Sequence, residues 1–84
     1  MIVKVEIYGM VQELDLSPVK YLSDLKSGDE VVTRHPVTKL LCRAGVESRA
    51  INYVTFKEIS QDIASHRWSI GRLKLRETVY KINK

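Results

Sequence analysis

The chain begins with a strict alternation: Val3, Val5 and Ile7 fall on one side and Lys4, Glu6 and Tyr8 on the other. A period of two predicts a half-buried strand. Gly9 can supply the positive φ of a turn, and Leu14 and Leu16 then mark a shorter returning strand, so the start reads as a β-hairpin. The pattern changes at "SPVKYLSDLKSG", where Val19, Leu22 and Leu25 repeat every three residues. Ser17 as a cap, Pro18 in the first turn and Gly28 just past the end predict a short helix there. "DEVVTR" then reads as a strand through Val31, Val32 and Thr33.

The remainder reads as mainly helical. In "HPVTKLLCRAG", Pro36 lies near a predicted start and Gly45 after the end, with Val37, Leu40 and Leu41 facing inward. Thr55-x-x-Glu58 has capping-box spacing, and Phe56, Ile59 and Ile63 supply an apolar face for a helix through "TFKEISQDIASHR". Residues 70–82 support two readings. Leu73 and Leu75 alternate with Arg72, Lys74 and Arg76 as in a strand, whereas Leu75, Val79 and Ile82 form a helical stripe. The expected fold class is therefore α+β: an N-terminal β-hairpin and short helix, followed by a basic, mainly helical half within one small domain spanning 1–84.

Charge sharpens the division between the halves. Residues 1–33 hold three cations (Lys4, Lys20, Lys26) and six anions (Glu6, Glu13, Asp15, Asp24, Asp29, Glu30), a net of −3. Residues 34–84 carry eleven cations against Glu47, Glu58, Asp62 and Glu77, a net of +7. An anionic partner is drawn to the second half. The expected partners are nucleic acid, DNA ahead of RNA, or an acidic protein surface. The exposed N-terminal strand adds a third expectation, edge-to-edge pairing with a partner or with itself as a homodimer.

"SQDIASHRWSIGRLKLRE" resembles a helix-turn-helix. Ile63-Ala64 matches the first-helix pair, Trp68 falls at the turn and Ser69 can cap the second helix. It departs from that motif in having Trp68 where glycine is usual and Lys74 where a buried aliphatic belongs. "PVTKLLCRAGVESRA" resembles the opening of S4-type RNA-binding domains through Lys39, Arg43, Gly45, Ser48 and Arg49, without the Asn-Gly turn that would follow. Both resemblances imply nucleic acid. The expected contacts are Arg67, Arg72, Lys74 and Arg76, extended by Lys39, Arg43 and Arg49, with Trp68 available for stacking.

Other classes find little support. Cys42, His35 and His66 lack the paired spacing of a zinc site, and Cys42 among Leu40, Leu41 and Ala44 reads as a buried structural thiol. There is no glycine-rich phosphate loop. A non-catalytic nucleic-acid-binding or regulatory protein without cofactor or metal is expected, with a protein-binding module or inhibitor of phage or plasmid type as the alternative. No apolar run reaches the ~18 residues of a membrane span, the alternating N-terminus is not expected to act as a signal peptide, and a single cysteine suits a reducing compartment. The expected location is the cytoplasm, including that of a host cell.

Overall fold

The structure, a computed structural model, describes residues 1–59, 66–72, 74 and 79–83. Its strands are β1 (Ile2–Ile7), β2 (Met10–Pro18), β3 (Glu30–Arg34), β4 (Leu41–Arg49), β5 (Tyr53–Glu58), β6 (Arg67–Gly71) and β7 (Tyr80–Ile82). They form an antiparallel sheet in the order β1-β2-β7-β3-β4-β5-β6. β3 to β6 make a simple meander. The short β7 returns to lie between β2 and β3, so one element joins the hairpin to the meander.

The N-terminal hairpin forms where its alternation places it, but the returning strand β2, expected to be shorter, is the longer at nine residues against six. Ile7 faces Met10 across a two-residue turn in which Tyr8 (φ 48°) and Gly9 (φ 79°) are both left-handed. That is the geometry of a type I′ turn, whose twist matches the strands it joins. At Tyr8 it costs about 1–2 kcal/mol.

Alternation gives the meander two apolar faces. On the inner one, Val31, Ala44, Val46, Val54 and Phe56 are buried, with Trp68 and Ile70 packed against them. A strap after β2 closes this face with Val19, Leu22 and Leu25. Burying Phe56 alone contributes roughly 1.5–3 kcal/mol. On the outer face, Val32, Leu16, Ile82 and Ile7 form a second, smaller core, lined by Val3, Val5, Leu14 and Leu41. The hairpin covers this second core and leaves the outer face of β5 and β6 open.

The predicted helices are the main correction. No helix of seven or more residues occurs among the described residues, and the half expected to be mainly helical is antiparallel sheet. Over 17–28, Ser17 and Pro18 end strand β2 and the one helical element is a 3-10 turn, Leu22–Asp24. Val19, Leu22 and Leu25 face inward as expected, but Leu22 alone of the three lies in the turn and Leu25 is extended (φ −113°, ψ 145°), so the element is not the expected one. The Asp24 carboxylate accepts the N–H groups of Lys20 (3.3 Å) and Tyr21 (3.1 Å), and Arg49 ties the strap to β4 by donating to the carbonyls of Leu22 and Leu25 (3.1 Å each).

Residues 36–39 form a loop closed by the N–H of His35 donating to the Leu40 carbonyl (2.8 Å), with Lys39 at φ 64°. Beyond it, Cys42, Ala44 and Val46 alternate inward along β4. Thr55 and Glu58 form no capping box. They lie in β5, where Val54, Phe56 and Glu58 all face the interior. The helix-turn-helix fails for the same reason: Trp68 and Ser69 are inside strand β6. Ile63-Ala64 lie outside the described residues, as do Leu73, Leu75 and Arg76. In the ambiguous tract, Ile70 and Gly71 end β6, Arg72 and Lys74 are helical, and residues 80–82 form β7.

Candidate functional site

Among the described residues, two groups of polar side chains matter most here, one on the open outer face and one at a buried end of the sheet. On the outer face, Lys57 of β5 stands directly opposite Arg67 of β6 and, on its other side, opposite Gly45 of β4. The next inter-strand pair on this face joins the hydroxyls of Thr55 and Ser69 at 2.7 Å, and Tyr53 follows opposite Gly71. Arg43 shares the face two residues before Gly45. The result is a shallow surface of three cations, two hydroxyls and an exposed tyrosine, with glycine backbone at two of its edges.

Among the expected contacts, Arg67 is exposed and its Nε donates to Glu47 at 2.6 Å. Arg43 is half-buried, ion-paired with Glu30 and bonded to Gln12 at 3.2 Å, which fixes it between the meander and the hairpin. Arg49 is committed to the strap carbonyls. Lys39 sits in the exposed loop after β3, while Arg72 and Lys74 are exposed beyond β6. Arg76 lies outside the described residues. Trp68 points inward, its ring 5.9 Å from Phe56 and 5.2 Å from His35, so it anchors the core. The structure thus brings Arg67 together with Lys57, which the sequence did not single out. Its signal was available in the alternation Val54, Thr55, Phe56, Lys57.

The buried end is a chain of hydrogen bonds among residues far apart in sequence. The Tyr8 hydroxyl, at the hairpin tip, donates to Glu58 at the end of β5. The other oxygen of that carboxylate lies 3.7 Å from His35 Nε2. His35 Nε2 is also 3.0 Å from His66 Nδ1, and its Nδ1 accepts the N–H of Val37 at 3.1 Å. Thr33, His35, Cys42 and Glu58 are all buried. Burial, then the hydrogen bond to the Glu58 carboxylate, pushes the Tyr8 hydroxyl up to about 12 from its ordinary 10.0. Burial first and Glu58 second push the Cys42 thiol up to about 12. A thiol held protonated is a poor nucleophile.

This end clips the hairpin tip to the meander and the β3–β4 loop. Tyr8, Glu58, His35 and His66 are partnered with one another within the fold, which makes this end a fastening. Among the described residues, no group of three His, Cys, Asp or Glu side chains could hold a metal ion. No helix among them is long and apolar enough to cross a membrane. No family model, curated protein or solved structure matches the chain.

Proposed function

We propose that the protein is a non-catalytic nucleic-acid-binding domain whose contact surface is the open face of β4, β5 and β6. One observation carries this reading: Lys57 and Arg67 are directly opposed across β5 and β6. Like charges at such a position destabilise a sheet by a few tenths of a kcal/mol to about 1 kcal/mol. Glu47 offsets part of that repulsion through its bond to Arg67. A phosphate placed between the two cations offsets the rest. Phosphate contacts of this type supply most of the sequence-independent affinity for nucleic acid.

The neighbouring groups suit the same partner. Thr55 and Ser69 offer hydroxyls to phosphate or sugar, and Tyr53 offers an exposed ring for a base to stack on. A flat sheet face accommodates a single strand with splayed bases. Arg72 and Lys74 extend the positive surface beyond β6. Fluorescence titration of a labelled single strand and a duplex at two salt concentrations tests the proposal. Binding of either that weakens as salt rises supports it, and absence of salt-dependent binding to both overturns it.

A further inference from the structure

The edge of the sheet opposite β6 carries a second surface. β1 ends the strand order, and among the described residues its one pairing partner is β2. The Met1 carbonyl accepts the Leu16 N–H at 2.9 Å, and Ile7 faces Met10 across the two-residue turn. In an antiparallel ladder the hydrogen-bonded positions alternate, so the odd residues of β1 turn their backbone groups to β2. The even ones, Ile2, Lys4 and Glu6, present theirs outward. Such a row is a template for another strand.

We propose that this edge is a self-complementary interface through which a second copy of the chain pairs, antiparallel and with two-fold symmetry about Val5. The side chains select both partner and register. Symmetric pairing must set even residues against even ones, because those carry the free backbone groups. Centring on Lys4 sets two lysines together, and centring on Glu6 sets two glutamates together. Centring on Val5 sets Lys4 of each copy against Glu6 of the other, twice, with the exchanged backbone bonds at these same residues. An isologous contact of this type closes on itself at two copies.

The inner side of the edge fits the same arrangement. Val3 and Val5 are only half-buried and line an apolar groove of about 310 Å³ with Leu16, Val32 and Leu41. In the symmetric pair, Val3 of one copy stands opposite Ile7 of the other, so the apolar layer beneath the hairpin runs across the junction. Ile2, 68% exposed, gains a neighbour at the partner's hairpin tip.

Charge exchange provides the test. Sedimentation equilibrium of the wild-type chain should show a monomer–dimer equilibrium. Lys4→Glu alone and Glu6→Lys alone each create two like-charged contacts and should weaken association roughly tenfold or more. An equimolar mixture of these two variants restores both attractive pairs, so it should form a heterodimer, and the doubly exchanged chain should again self-associate. A thermal melt of each variant shows that it is folded. A wild-type chain that stays monomeric, or single variants that dimerise as well as the wild type, overturns the proposal. So does a mixture that fails to associate while the wild type does.

Discussion

The buried end and the open face use similar side chains for opposite ends. At the buried end, Tyr8, His35, Glu58 and His66 are turned toward one another, and the hairpin tip is held by the result. On the open face, Lys57 and Arg67 stand side by side, and among the described residues Arg67 draws a counter-charge from its own fold, Glu47. Polar groups satisfied internally stabilise a structure and have little left to offer a partner. Cations crowded together in solvent contribute little to folding and much to the attraction of anions. Removing a group at the buried end should therefore cost stability, whereas removing one at the open face should cost binding.

The largest effect is expected at Glu58. Glu58→Ala strands the Tyr8 hydroxyl and removes the carboxylate facing His35, a loss of about 3 kcal/mol in urea unfolding. An unchanged unfolding midpoint would show that the buried chain fastens nothing. Alkaline titration comes next. The proton affinities of Tyr8 and Cys42 are both raised by folding, from ordinary values of 10.0 and 9.0 to about 12. A raised folded-state value means that the folded chain holds the proton more tightly. The stabilisation is fully present below the ordinary values and is lost as pH climbs through them towards 12. Unfolding measured from pH 8 upward should show this decline, and it should be shallower in Tyr8→Phe and Cys42→Ala.

Tyr8→Phe at neutral pH is a smaller perturbation, about 1 kcal/mol, because one hydrogen bond is lost and Glu58 keeps His35 nearby. The smallest effect on stability belongs to the open face. Lys57→Ser should change unfolding by less than about 0.5 kcal/mol, and relief of like-charge repulsion makes a slight gain the expected sign. A loss of several kcal/mol at Lys57 would erase the distinction between the two regions.

The same contrast explains what could be read from the sequence. The hairpin was legible because Val3, Val5 and Ile7 alternate with charged residues and Gly9 marks the turn. The strap's inward residues were legible from their spacing of three, although the element proved to be a single 3-10 turn. β4 was hidden because its inward residues, Cys42 and Ala44, are small, while consecutive Leu40 and Leu41 imitate a helical face. β5 was hidden by Glu58: with a carboxylate in the inward register, Thr55-x-x-Glu58 passes for a capping box. The buried end had no local signal, since His35, Glu58 and His66 meet only when the meander brings their strands together. The half-charges pointed to the basic half and to Arg67, but could not show that Arg43 and Arg49 are committed to Glu30 and to the strap.

The most direct test of the open face as a binding surface is a salt titration of nucleic-acid affinity. The wild-type chain would be compared with a variant carrying both Lys57→Ser and Arg67→Ser. Each phosphate contact contributes roughly 0.9 to the slope of log affinity against log salt on duplex DNA. The double variant should remain folded, bind more weakly, and show a slope shallower by about two such contacts. Equal affinity and equal slope for the two chains would contradict the account.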